Sequence, residues 1–384
     1  MSSFVSSEQH QTFVLESQNQ MAFSATLAHR ALEEAAATIK RLESIRDELV
    51  KEITRKSLYI QHHTEPDLSD IPPYQRLIVP ADVLDLSDEN LTSLEWVGTA
   101  GLKIALIAGL EHLKFLESVS FRSGFIRKPT GLEHCHETMK VLELYENRLR
   151  TLEGVQTLTH LETLDVSYNR LGKLENMFLS PLTNLTKLYV AENKLSEIDP
   201  NALLPLVHLK VLDLGGNNIR KIQGLDTLVN LKELWLGKNK ITKIEGLENL
   251  KSLVRLSIQS NRITKVENLN HLVTLEELYL SDQGIEQIEG IDHLQNLTTL
   301  DFTNNKIKSL DGFPNFAQLT DLWLAANQIS DFEEIEKFAP LLSDCIDTLV
   351  FERNPVAQIP DYRKRVFKLF PSLSYIDADP VTRL

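Results

Sequence analysis

The chain repeats one pattern of apolar and polar positions, L-x-x-L-x-L-x-x-N-x-(I/L). It is clearest in LKELWLGKNKITKIEGLENLKS, Leu231 to Ser252, and in its echo LVRLSIQSNRITKVENLNHLVT, Leu253 to Thr274. The apolar residues and the Asn coincide, whereas Trp235 stands opposite Ser257 and Glu233 opposite Arg255. Around Leu234 and Leu236 the period is 2, which predicts a short strand with both leucines inward and Trp235 outward. Ile241, Ile244, Leu247 and Leu250 add inward groups on the return path. One such unit cannot bury its apolar face alone, so units must stack, their strands forming a parallel sheet about 4.8 Å apart. The Asn sits where the chain leaves the strand, and its amide suits loop backbone groups that would otherwise be buried unpaired.

The polar slot falls at Asn147, Asn169, Asn193, Asn217, Asn239, Asn261, Gln283, Asn305, Asn327 and Asn354, in steps of 22, 24, 24, 22, 22, 22, 22, 22 and 27 residues. Two degenerate units precede these, with Glu89 and Gly124 in the slot, so about twelve repeats are expected. The first two are separated by an insertion around WVGTAGLKIALIAGL. The expected fold is α/β, a repeat solenoid over 77–345, with a last repeat and C-terminal cap over 346–384 and an N-terminal helix and linker over 1–76. That helix, Met21 to Lys56, carries Leu32, Ala35, Ile39, Leu42, Ile45, Leu49 and Ile53 on one face. It could pack on the first coil, pair as a coiled coil or stand partly free. His62 to Tyr74 reads as linker because Pro66, Pro72 and Pro73 can continue neither helix nor ladder.

Composition narrows the functional classes. Apolar residues make up 42%, enough for a continuous core, and 54 Asp and Glu outweigh 40 Lys and Arg for a net charge of -14. That balance disfavours a nucleic-acid backbone and favours a partner with basic patches. With only Cys135 and Cys345, no signal-like start and no run of 18 apolar residues, the expectation is a soluble intracellular protein with free thiols and no membrane partner. Phosphate-cradle, dinucleotide, zinc-protease and nucleophile-elbow motifs are lacking, which argues against an enzyme and for no cofactor. EHCHE, Glu133 to Glu137, gathers soft ligands, but no second Cys/His cluster completes a metal site, so it reads as loop or surface.

The variable positions are where function is expected. The outward residue of successive strands reads Glu143, Asp165, Tyr189, Asp213, Trp235, Ser257, Tyr279, Asp301, Trp323 and Val350, acids and aromatics nearly alternating. Glu233, Arg255, Glu277 and Asp321 flank this row. Tyr189, Trp235, Tyr279 and Trp323 should lie about 10 Å apart on one face. Aromatics ringed by charge could simply cover backbone, but they read better as anchors for a protein partner.

The repeat is similar to leucine-rich repeats of the 22-residue class. Gly131 to Leu384 resembles the leucine-rich-repeat regulatory subunits of protein phosphatase 1, on LGKNKITKIEGLENL, SIQSNRITKVENL, ELYLSDQGIEQIEGIDHL and the cap-like ending ERNPVAQIPDYRKRVFKLFPSLSYIDADPV. The resemblance implies a non-catalytic mitotic regulator of nucleus and cytoplasm whose concave sheet face grips the phosphatase catalytic subunit, with a third, inhibitory subunit as further partner. It implies contact roles for Asp165, Tyr189, Asp213, Trp235, Asp301, Asp321 and Trp323; Glu143 and Tyr279 join them by position in the row. Val350 replaces an expected aromatic. Val119-x-Phe121 is the single trace of the short phosphatase-docking motif, and it lacks the basic residue and falls in an expected buried strand. The alternative is a scaffold of another complex, spliceosomal or microtubule-associated.

Overall fold

A computed structural model describes residues 92–97, 104–107, 110–342, 345–377 and 379–380. The expected N-terminal helix, the linker and the unit carrying Glu89 lie outside the described residues. The strands are β1 (Ser93–Val97), β2 (Ser118–Phe121), β3 (Val141–Glu143), β4 (Thr163–Asp165), β5 (Lys187–Tyr189), β6 (Val211–Asp213), β7 (Glu233–Trp235), β8 (Arg255–Ser257), β9 (Glu277–Tyr279), β10 (Thr299–Asp301), β11 (Asp321–Trp323), β12 (Thr348–Val350), β13 (Tyr375–Ile376) and β14 (Asp379–Pro380). They form one sheet in sequence order, parallel up to β13, with β14 returning antiparallel. About ten regular coils carry the slot from Asn147 to Asn354.

Each strand from β3 to β12 is three residues long, with its central Leu and the apolar residue two positions after that Leu facing the core. In the coil of β7, Leu234, Leu236, Ile241, Ile244 and Leu250 are fully buried. Leu256 and Leu278 lie in register with Leu234, so inward leucines stack coil upon coil in one continuous core.

The slot Asn holds the turn. Asn239 Nδ2 donates to the carbonyls of Leu214, Leu236 and Gly237 at 3.0 to 3.2 Å, and its Oδ1 accepts the Ile219 N–H at 2.9 Å. One side chain therefore closes its own turn and ties it to the preceding coil. The longer Gln283 keeps only the bonds between coils, from Nε2 to the Ile258 carbonyl and from the Ile263 N–H to Oε1. The Asn series begins at Asn147, whose Oδ1 lies 2.6 Å from where a Cβ on Gly124 would stand, so the slot before it has room only for glycine.

The residue just before each slot is left-handed, from Ser123 through Lys238 to Arg353, and Gly216 is the one glycine among them. From Ser123 to Ala326 its N–H donates to the next coil, as Lys238 does to the Gln259 carbonyl at 2.8 Å. That ladder bond offsets the strain of a positive φ in a non-glycine residue.

Two of the three departures from the 22-residue step appear as helix on the return path, while the step from Asn193 to Asn217 adds only turns. The 24-residue step after Asn169 contains α1 (Asn176–Leu179), and the 27-residue step after Asn327 contains α2 (Phe332–Phe338). Asp331 caps α2 by accepting the Glu333 N–H at 2.9 Å, while Phe332, Ile335 and Phe338 turn inward. At the C-terminal end, α3 (Tyr362–Leu369) buries Tyr362 and Val366, and Phe370 packs on Phe338 with ring centroids 6.0 Å apart. Val119 and Phe121 are buried in β2, which removes that segment as an extended docking motif.

Candidate functional site: the outer face of the sheet

Strand register brings the outward residues into one row. Glu143, Asp165, Tyr189, Asp213, Trp235, Ser257, Tyr279, Asp301, Trp323 and Val350 are successive partners across β3 to β12. A second row, two residues earlier, holds Glu233, Arg255, Glu277, Thr299 and Asp321. All nine site residues expected from the sequence thus share one face. From β3 to β11 these two rows contain seven carboxylates, of Glu143, Asp165, Asp213, Glu233, Glu277, Asp301 and Asp321, against the cations of Lys187 and Arg255. A surface of that sign suits a basic partner surface.

The acids do not all have the same freedom. Asp165, Asp213 and Asp301 each accept the backbone N–H two residues on, from Ser167, Gly215 and Thr303, at 2.8 Å. Their carboxylates therefore brace the strand's exit as well as charge the face, a local duty that the alternation of acid and aromatic did not reveal. The signal was available, because Asp in a turn commonly bonds the backbone two residues on. Burial pushes the Asp165 and Asp213 carboxyls above the usual range, against the opposing pull of those N–H bonds. Glu143 is held by Arg122 and by the Ser120 hydroxyl at 2.9 Å. Asp321 accepts from the Thr320 hydroxyl at 2.7 Å.

The aromatics are tied in differently. Across β7 to β9, Arg255 sits between Glu233, at 3.1 Å, and Glu277, which accepts its Nε–H at 2.6 Å. The guanidinium lies 5.6 Å from the Trp235 ring centroid, Trp235 Nε1 donates to Glu233 at 3.3 Å, and the Tyr279 hydroxyl donates to Glu277 at 2.7 Å. The Arg255 hydrogen bond lowers the Glu277 carboxyl, and burial followed by that carboxylate pushes the Tyr279 phenol up to about 12. This network fixes the Trp235 and Tyr279 rings before any partner arrives. Ser257 is completely buried between their strands. Tyr189 is raised first by burial and then by Glu233, Asp165, Asp213 and Glu143, which places its hydroxyl in a field of carboxylates. Trp323 has no such network and is 39% exposed, the largest exposed aromatic of the row. Val350 follows it on β12 with an aliphatic side chain.

Other candidates are weaker. The EHCHE segment forms a 3-10 turn, Glu133–Cys135, and Cys135 is buried, its thiol donating toward the Leu113 carbonyl at 3.4 Å and pushed up to about 11 by burial. Among the described residues no group of three or more His, Cys, Asp or Glu is arranged to hold a metal ion, and no helix is long and apolar enough to cross a membrane. Cys135 and Cys345 are free thiols, and His271 and His293 are exposed.

Comparison with known proteins agrees with this geometry. Residues 159–219 match the family described as Leucine rich repeat, residues 207–249 match Leucine Rich repeats (2 copies), and residues 256–383 match Leucine-rich repeat. The chain is a leucine-rich-repeat protein, a solenoid suited to protein–protein interaction. A leucine-rich-repeat protein of Leptospira interrogans is 28% identical, with a TM-score of 0.66 over 75% of this chain and 72% of that one. An internalin of Listeria monocytogenes is 22% identical, with a TM-score of 0.60 over 88% of this chain and 95% of its own. A chain of the octameric complex of Latrophilin 3, Unc5D and FLRT2 (LRR) is 20% identical, with a TM-score of 0.52 over 75% of this chain and 84% of that one. No curated protein matches the sequence. None of the three matching families is a catalytic one.

Proposed function

We propose that the protein is a non-catalytic regulatory or assembly subunit that binds the catalytic subunit of protein phosphatase 1 through the outer face of its sheet. The observation that carries this reading is the single row of anchors and acids, with Trp235 and Tyr279 held by the Arg255 network and Trp323 exposed beside Asp301. Aromatics fixed in advance lose little freedom on docking, and the surrounding carboxylates select a basic surface. The choice of phosphatase rests on the resemblance of Gly131 to Leu384 to that regulatory family. The same resemblance extends the proposal to a third, inhibitory subunit, to a role in mitosis, and to the nucleus and cytoplasm. One solved relative of the fold belongs to a protein–protein complex, which is in keeping with such a role.

The test is titration of the full chain with purified phosphatase catalytic subunit at two salt concentrations. Binding that weakens only in part as salt rises is expected, because charge is screened and aromatic burial is not. No binding at micromolar concentrations would leave an interaction scaffold for a different complex, spliceosomal or microtubule-associated.

A further inference from the structure

The chain is acidic, yet where it runs into β6 and β7 lysines take over. Where the chain runs into β3 to β7, the residues Lys140, Glu162, Thr186, Lys210 and Lys232 occupy the same position in five successive coils. They are locked in line by a backbone ladder, in which the N–H groups of Glu162, Thr186, Lys210 and Lys232 donate to the carbonyls of Lys140, Glu162, Thr186 and Lys210 at 2.7 to 2.8 Å. Beside this row run His160, Asn184, His208 and Asn230, and the two rows bound an open groove of about 660 Å³. Its floor is braced, since Asn184 and Asn230 donate to the Thr159 and Val207 carbonyls at 3.1 and 2.9 Å.

The charge within the groove is graded. At one end Lys140 is neutralised by Glu117 at 2.8 Å, and Glu137 and Glu162 add negative charge. At the other end Lys210, Lys232 and His208 are exposed, and among the described residues neither lysine is in an ion pair. Val207 and Val229, each one residue before a lining side chain, are 39% and 48% exposed. Two unpaired ammonium groups one coil apart, next to bare aliphatic side chains, form a surface complementary to carboxylates spaced along an extended chain that also carries an apolar residue. Five coils span about 19 Å, the reach of about six extended residues.

We propose that this groove binds an acidic, extended peptide segment of a partner protein, its carboxylates over Lys210 and Lys232 and an aliphatic side chain against Val207 and Val229. A nucleic-acid backbone fits less well, because a continuous line of phosphates would run over Glu162 and Glu137 and on to the acidic outer face. The inference goes beyond the phosphatase reading and does not depend on it, since the groove lies beside the outer face and its Lys210 and Lys232 end has the opposite charge.

Fluorescence anisotropy of the full chain with a labelled Glu- and Leu-rich peptide tests it, with a Gln-for-Glu version and single-stranded DNA of equal charge as comparators. Lys210→Glu with Lys232→Glu should weaken peptide binding about tenfold or more, with an unchanged melting curve. Lys238→Glu, beyond the opposite end of the strands, and Trp235→Ala with Trp323→Ala should leave it unchanged. The Gln version should bind far more weakly than the Glu version. No measurable peptide binding, binding that survives the double reversal, or DNA bound as tightly as the peptide would each overturn the proposal.

Discussion

Asn239 and Trp235 stand four residues apart in one coil, yet they belong to regions under opposite constraints. At the slot, nine of ten coils use Asn, and each oxygen and nitrogen has a backbone partner in its own coil or the one before. Along the outer row the residue changes with nearly every coil, and its partners are varied: side chains of its own and the neighbouring strand for Trp235, with Glu233 and Arg255, and a backbone N–H two residues on for Asp165, Asp213 and Asp301. Buried backbone admits very few solutions, so repetition marks what holds the fold. Positions outside the core admit many, so variation into aromatics and acids is where we propose a partner is met.

The comparison breaks first in the core. Leu234→Asp should be the most damaging change, costing about 4 kcal/mol or more, because it puts an unpaired carboxylate among fully buried leucines. Chemical denaturation would measure the loss. A variant with an unshifted midpoint would mean that Leu234 does not face the core.

Asn239→Ala should cost about 2 to 3 kcal/mol. The Leu236 carbonyl keeps the bond from Asn261, but the Ile219 N–H loses its acceptor. The converse change sharpens the point. Gln283→Asn should stabilise by about 0.5 to 1 kcal/mol, because Asn in the next slot back, Asn261, makes the bonds within its own turn that Gln283 lacks.

A smaller effect should come from the outer row itself. Burial holds the Asp213 carboxyl above the usual range, so the folded chain binds that proton more tightly than the unfolded chain. The associated stability is complete below the ordinary carboxylate value and is lost as pH rises through the raised native one. Asp213→Asn should flatten that part of the stability curve in melts between about pH 4 and 7, its amide oxygen still accepting the Gly215 N–H. An unaltered slope would show that Asp213 titrates alike in both states.

Much of this architecture was legible in the chain. Inward leucines, the slot and the outward row are all set by short periods, and parallel stacking carries those periods into three dimensions without a register to guess. Repeat length was legible too, although what fills the longer steps was not, because the extra residues of α1 and α2 break the period that located everything else. The left-handed residue before each slot left little trace, since Glu146, Tyr168, Lys238 and Ala326 share no side-chain chemistry and the shared constraint lies in their backbone. The duties of the outward acids were only half visible. Asp165, Asp213 and Asp301 are charges on the face and braces of the strand at once, and only the position of the N–H two residues on separates those roles.

Whether the outer face binds the partner is decided most directly by titration calorimetry of the Trp235→Ala, Trp323→Ala double variant against the phosphatase catalytic subunit, with circular dichroism confirming the fold. Loss of an anchoring Trp commonly costs about 2 kcal/mol, near thirtyfold in affinity, so the pair should weaken binding by that much or more while the far-ultraviolet spectrum and melting curve stay those of the parent. A folded double variant that binds at full strength would contradict the outer face as the binding surface.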